Sequence, residues 1–301
     1  AVLETARGGI LKRGLAYDRC DVAVVLNVSA DHLGLDGIDT IDDLARVKAV
    51  VAKRASRAVV LNAEDRYCVK MGAELADGVE IIYFALDAED PVLLRHVEHG
   101  GRGVYLQDST IVIASGLRHE ALVDVHEMPS SLGGRARYNI ANAMAAAAAL
   151  TACGFANHEI ADGLRGFVSD SKHNPLRSNL FDVDGVTVVV DYAHNCAAYA
   201  AMADMARAMT PGRLVGVVAA LAVAPFAIGF LHDYAVLSGS LIAYAVSTVV
   251  CTVMSLSNRT GFDFSRIARM TGDFDVEEGE DLATASARAA IGAEQQLPQS
   301  R

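Results

Sequence analysis

Apolar runs alternate with amphipathic stretches along the first two hundred residues. Residues 21–28 (Asp-Val-Ala-Val-Val-Leu-Asn-Val) form an almost unbroken apolar run, the pattern of a strand buried on both faces of a parallel sheet. Residues 40–54 read as a helix. Thr40 opens it, Asp42 and Asp43 occupy its first turn, and Lys53 and Arg54 its last. A strand follows at 58–61, a helix over 64–76 and a strand at 79–84. Strand and helix alternating at this spacing predict a doubly wound α/β sheet that is mostly parallel.

Between 91 and 128 the pattern shifts to short strands separated by Gly100-Gly101, Asp108-Ser109 and Ser115-Gly116, which predicts an antiparallel insertion or edge. Alanine-rich residues 139–152 predict a helix, 157–167 a shorter one, and 197–209 a third ended by Pro211-Gly212. Two β-rich runs joined by Asp184-Gly185 predict a hairpin over 181–191. Ala1-Val2-Leu3 reads as the closing half of a buried strand, so the chain is expected to lack an upstream part of its first domain.

The pattern then breaks. Residues 214–231 carry no charge, and neither do residues 234–256, beyond the His232-Asp233 interruption. A helix needs about 20 apolar residues to span a bilayer, so residues 219–258 are expected to form apolar, membrane-type helices, with a poorly ordered polar tail over 259–301. Residues 1–170 are expected to form one α/β domain and 171–218 the start of a second.

Composition narrows the function. A formal charge of -11 argues against a general nucleic-acid binder, whose phosphate contacts need clustered Lys and Arg. Cys20, Cys68, Cys153, Cys196 and Cys251 show no CxxC spacing, so neither a zinc site nor a disulfide framework is indicated, and reduced thiols in a cytoplasmic protein are expected. No basic run followed by an apolar stretch marks a signal peptide at the start.

Short polar motifs stand in a fixed order: Glu4-Thr5-Ala6-Arg7-Gly8-Gly9, Asn27-Val28-Ser29-Ala30-Asp31-His32, Lys48, Asn62-Ala63-Glu64-Asp65, Asn139-Ile140-Ala141-Asn142 and Asp191-Tyr192-Ala193-His194-Asn195. Several follow strand ends, where ligands gather in α/β sheets. Each also has a plain structural reading. Glu4 could be a surface acid before a glycine turn, and Asp31-His32 a solvated loop. Lys48 could be a solvent-facing helix lysine, Asp65 a helix-start acid and Asn139 an N-cap.

As a series, the motifs resemble the Mur ligase superfamily, ATP-dependent enzymes that join an amino acid to a carboxylate. The first motif and the run Leu132-Gly133-Gly134-Arg135-Ala136-Arg137-Tyr138-Asn139 are most similar to the Mur-ligase half of the cyanophycin synthetases, over residues 1–218. The resemblance implies transfer of the ATP γ-phosphate to a carboxylate and attack of an amine on the acyl phosphate. It implies that Glu4 and His32 hold Mg²⁺ and that Lys48 is carbamylated to a carboxylate near the metal. Burial of Lys48 beside Val47, Ala49 and Val50 would favour that by lowering its pKa. It places adenine on Asn139 and Asn142, phosphate near Arg177, and ribose or phosphate water on Asp191, with His194 beside it. Tyr138 stands where the family usually has His, and Cys196 where it usually has Pro. The substrates implied are ATP, an amino acid (arginine) and a carboxylate polymer acceptor, with a homo-oligomeric parent enzyme. Folylpolyglutamate synthases and muramyl-peptide ligases are the alternatives within the superfamily.

The phosphate-cradling GxxxxGK[ST] loop is absent from the sequence: none of Lys12, Lys48, Lys53, Lys70 and Lys172 follows a glycine. In the family it lies upstream of the Glu4 motif, so the chain is expected to be a fragment, inactive by itself. Residues from Phe230 to Asp275 resemble the C-terminal end of a sodium:solute symporter. The switch near 218–222 therefore suggests a join between unrelated reading frames, with membrane contact through 219–256 as the competing reading.

Overall fold

The computed structural model describes residues 1–30, 33–209 and 212–216. Asp31, His32 and the tail expected to form membrane-type helices lie outside the described residues. Ala1–Leu214 make one compact unit and Val215–Arg301 a second, of which only residues 215 and 216 are described.

The chain starts in extended, exposed backbone and enters α1 (Arg7–Arg13). The strand expected at Ala1–Leu3 does not form: Val2 and Leu3 are exposed and pair with no strand among the described residues. Gly8 and Gly9, which the plain structural reading of this motif puts in a turn, sit inside α1.

The next elements follow the expected alternation. They are β1 (Cys20–Val25), α2 (Ile41–Ala52), β2 (Ala55–Asn62), α3 (Arg66–Ala73), β3 (Glu80–Ala85), α4 (Pro91–Glu98) and β4 (Arg102–Gln107). Then come β5 (Thr110–Ser115) and β6 (Arg118–Asp124). One six-stranded sheet runs β1-β2-β3-β4-β5-β6, parallel through β4 and antiparallel beyond it. The antiparallel edge expected over 91–128 is present, but its first eight residues are α4. Asp90 caps that helix and Pro91 opens it, the signature of a helix start.

Strand alternation sends side chains to two cores. Val59, Leu61, Tyr83 and Ala85 face Leu44, Cys68, Met71 and Leu93 of α2, α3 and α4. Ala58, Val60, Ile82, Phe84 and Val104 face the other way, against α5 (Arg137–Cys153) and α6 (Asn157–Gly166). Helices therefore cover both faces, as expected of an α/β layer structure. They do so without the strand-order reversal of a doubly wound sheet among the described strands, since the crossovers α2, α3 and α4 share one face. Among the described strands β1 is at the edge of the sheet and not the doubly buried strand expected: Val24 is 38% exposed.

Thr40 caps α2 in a capping box with Asp43, each side chain bonding the other residue's backbone N–H at 3.1 Å. α5 runs antiparallel to the parallel strands. The carbonyl of Thr151 near its end accepts from Arg102 at the start of β4 (3.2 Å), so its first residues lie toward the carboxyl edge of the sheet. Beyond α6 come a hairpin of β7 (Asn179–Val183) and β8 (Val186–Val190), turned at Asp184-Gly185 as predicted, and α7 (Cys196–Ala208).

Candidate functional site

The loop leaving β1 is fixed from two sides. Lys48, half-buried on α2, donates from Nζ to the carbonyl of Asn27 at 2.8 Å. Asp65 accepts the backbone N–H of Val28 at 2.8 Å on one oxygen. Its other oxygen caps α3, accepting the N–H groups of Tyr67 and Cys68 at 2.9 Å each. The helix-start reading of Asp65 is thus correct but incomplete, because the same carboxylate ties β1 to β2. Val28, 6% exposed, is the buried pivot of this loop.

Neighbouring strand ends are tied in the same way. Glu64 accepts the N–H of Leu86 past the end of β3 at 2.8 Å, and Asn62 caps the turn by accepting the N–H of Glu64 at 2.9 Å. Cys68 lies below this edge, its thiol pushed up to about 12 first by burial and then by the Asp65 charge, which makes it a packing group and not a nucleophile.

Arg7 gives the first motif its structural role. Its guanidinium donates to the carbonyl of Leu35 and lies 3.7 Å from Asp36, so α1 is held against the turn that follows the second motif. Nothing in the sequence singled out Arg7 within its motif. Glu4 is exposed and makes no hydrogen bond or ion pair among the described residues. His32 lies outside them.

On the other side of the sheet, Asn139 donates from its side chain to the carbonyl of Ser130 at 2.8 Å. It is therefore not the N-cap of α5, a position held by Ala136. Asn142 is exposed one helical turn further on.

Asp191, at the end of β8, accepts from both the N–H (2.8 Å) and the hydroxyl (3.0 Å) of Ser178. Arg177 is exposed with its guanidinium 5.7 Å from the centre of the Tyr192 ring, and His194 donates through Nδ1 to the carbonyl of Tyr192 at 3.0 Å. Asn195 caps α7 by accepting the N–H of Ala198 at 2.9 Å, with Cys196 as an exposed first residue. Sequence reasoning missed Ser178 and Asn179, 2% exposed each. The Asn179 amide donates to the carbonyls of Ser169, Asn174 and Arg177 at 3.4, 3.0 and 3.3 Å and so ties the turn together. A Ser-Asn pair after Pro175 carries only a generic turn signal.

Lys48, Asp65 and Asn139 therefore come from separate elements to the carboxyl edge of the parallel strands, while Arg177, Asp191 and His194 form a second group. As for magnesium, no group of three or more His, Cys, Asp or Glu side chains gathers into a metal site among the described residues. Glu4 presents one exposed carboxylate, the oxygen donor that magnesium takes together with waters and substrate phosphates. No helix among the described residues is long and apolar enough to cross a membrane.

Comparison with known proteins agrees with this layout. The Mur ligase middle domain matches residues 1–150, and the Mur ligase glutamate ligase domain matches residues 176–296. The second match runs across residues 218–222 and through the apolar runs, and nothing supports the sodium:solute symporter resemblance or a join at that point. Cyanophycin synthetase of Nostoc sp. is 40% identical over 220 residues, 72% of this chain and 24% of that protein. The Synechocystis sp. cyanophycin synthetase is 41% identical over 211 residues, 69% of this chain and 24% of that protein. UDP-N-acetylmuramoylalanine–D-glutamate ligase of Streptomyces coelicolor is 31% identical over 58% of this chain and 34% of its own length. The chain spans about a quarter of the length of the cyanophycin synthetases it matches. With its middle-domain fold and both domain matches in sequence order, the chain belongs to the Mur ligase superfamily.

Proposed function

We propose that this chain is part of an ATP-dependent ligase that forms amide bonds through an acyl phosphate, adding arginine to the aspartate side chains of a cyanophycin-like polymer. The observation that carries the reading is the convergence of Lys48, Asp65 and Asn139 on one sheet edge, in a chain 40% identical to cyanophycin synthetase. The identity to the muramyl ligase is lower and covers less of the chain, which favours the cyanophycin reading.

In this reading the acceptor carboxylate takes the γ-phosphoryl group of ATP. The amine then attacks the acyl carbon, phosphate leaves, and the amine gives up a proton. Asn139 and Asn142 lie on one side of α5 for the adenine, while Arg177, Asp191 and His194 serve the phosphates and ribose. Lys48 keeps the Asn27 loop in place. A carbamate on its nitrogen would retain one N–H, so carbamylation is compatible with the bond to Asn27. Magnesium, when bound, would neutralise the transferring phosphate; Glu4 and His32 are the residues proposed for it. The division into a middle domain over 1–170 and a second domain from 171 belongs to the same proposal.

The test is a domain replacement. Residues 1–216 of this chain are exchanged for the matching segment of the Nostoc cyanophycin synthetase, and ATP-dependent incorporation of labelled arginine is measured. Incorporation above the background of a chimera carrying Lys48→Ala is expected. A folded chimera with no incorporation would overturn the reading. The isolated 301-residue chain, which contains no Gly-Lys loop to supply backbone donors to the β- and γ-phosphates, is expected to incorporate none.

A further inference from the structure

The run Leu132–Asn139 and the turn ending at Asn179 meet in a way that nucleotide contact does not explain. Ser178 is 2% exposed and held at φ 52°, in the left-handed region that non-glycine residues rarely occupy. The Asp191 carboxylate can only accept, so the single hydroxyl proton of Ser178 goes to it, at 3.0 Å. Ser178 Oγ is then left to accept from the hydroxyl of Tyr138, 2.5 Å away. Met202 Sδ on α7 lies 3.3 Å from the same hydroxyl and is the weaker acceptor. A directed chain results, from Tyr138 through Ser178 to Asp191, and successive bonds in such a chain polarise one another.

A second fastener lies three residues upstream. Arg135 Nε donates to the carbonyl of Ala208, the last residue of α7, at 3.2 Å, and Nη1 donates to Leu132 at 3.1 Å. A cation at a helix C-terminus satisfies an end carbonyl and complements the helix dipole. Leu132, Gly133 and Gly134 all have positive φ (53°, 67° and 81°), which turns the chain sharply enough to aim Arg135 at α7. A Cβ at Gly133 would stand 2.8 Å from Arg135 Nη1.

We propose that Tyr138, Ser178 and Arg135 form a latch that fixes residues 178–208 on the start of α5, using the glycine-rich run as its base. The latch joins residues of the middle domain to the carboxylate at the end of β8. It occupies Asp191 Oδ2 and leaves Oδ1 without a hydrogen bond among the described residues.

Hydrogen–deuterium exchange on the full 301-residue chain tests this. Tyr138→Phe keeps the ring and removes the donor. Amides in 178–208 should then exchange roughly five- to ten-fold faster, the loss of one net hydrogen bond, while β2 and β3 stay unchanged. Ser178→Gly relieves the left-handed backbone yet removes the relay, so it should also speed exchange in 178–208. The double variant should be no worse than the worse single, because both remove the same chain. Arg135 is exposed, so Arg135→Ala keeps the fold and should open the last turn of α7. Unchanged exchange in 178–208 for Tyr138→Phe and Arg135→Ala, or strictly additive effects of Tyr138→Phe and Ser178→Gly, would overturn the latch.

Discussion

The sheet with its helices (residues 55–166) and the hairpin-helix segment (residues 178–208) are stabilised in opposite ways. In the first, Phe84, Ile82, Val60, Met144 and Ile140 are at most 1% exposed, and nearly every strand contributes to an apolar core. In the second, the buried set is Ser178, Asn179, Val183 and Met205, while Leu180, Val186 and Val188 remain exposed. One region is stabilised by area removed from water, which is non-directional and tolerant of small shifts. The other depends on hydrogen bonds of fixed geometry. Loss of packing should therefore destabilise the whole unit, whereas loss of a polar contact in the segment should release only that segment.

The largest expected effect tests the first half of this comparison. Phe84→Ala removes a ring from the core between β3 and α5 and should cost about 3–5 kcal/mol. Denaturant titration should show one cooperative shift, with exchange rising throughout the sheet. A change confined to β3 would break the comparison. Asn179→Ala tests the second half. Removing the buried amide takes the donor from the carbonyls of Ser169 and Asn174 and the acceptor from the N–H of Leu176, a loss of about 1–3 kcal/mol. Exchange should rise in 169–192 with the sheet midpoint nearly unmoved. An equal shift of the sheet would show that the two regions unfold as one.

The carboxyl edge of the sheet combines both kinds of stabilisation, and Asp65 separates them. Asp65→Ala loses the α3 cap, about 1 kcal/mol, and also frees the Val28 amide. Asp65→Ser keeps a capping oxygen but has no second one for Val28. In that variant α3 should stay protected while amide 28 exchanges faster. Protection of amide 28 that survives Asp65→Ser would mean that burial of Val28, and not the carboxylate, holds the loop.

These contrasts also explain what the sequence revealed. The strands β2 and β3 announce themselves as unbroken apolar runs because both their faces are buried, α2 through its capping residues and first-turn acids, and α5 through its run of alanines. α4 was missed because eight residues give only two helical turns, and the flanking glycines suggested strands. Ala1–Leu3 misled for the opposite reason: an apolar tripeptide predicts burial only where a neighbouring strand is there to pair with it. Lys48 and Asp65 were found through motif order. Their partners, the Asn27 carbonyl and the Val28 N–H, are backbone groups, to which residue identity gives no clue. Ser178 and Asn179 were invisible because their roles come from partners up to forty residues away, such as Tyr138.

The smallest expected effect concerns which region acid reaches first. His96 on α4 is wedged against Tyr83, ring centres 5.0 Å apart, and its Nε2–H donates to the carbonyl of Ile81 at 3.0 Å. Gly101 leaves room for the ring, since a Cβ there would stand 2.3 Å from Nε2. Burial lowers the His96 pKa from its ordinary 6.5 and outweighs the backbone carbonyls and Glu80, which act the other way. The unfolded chain then binds the proton more readily than the folded one. Stability from this residue is complete above pH 6.5 and declines as pH falls from there through the lower folded value. In the segment between α6 and β7, Asp170 is held below its ordinary 3.8 by the N–H and ring of His173, so its contribution survives until pH falls below that value. On acidification the α4 side of the sheet should soften first, between neutrality and pH 5, with the Asp170 segment unaffected. Exchange rates of α4 and β3 amides at pH 7 and pH 5, corrected for intrinsic rates, measure this directly. His96→Gln, which has no proton to gain, should flatten the dependence. If the dependence persists in His96→Gln, the acid-sensitive group lies elsewhere, and the sheet owes none of its pH response to this buried ring.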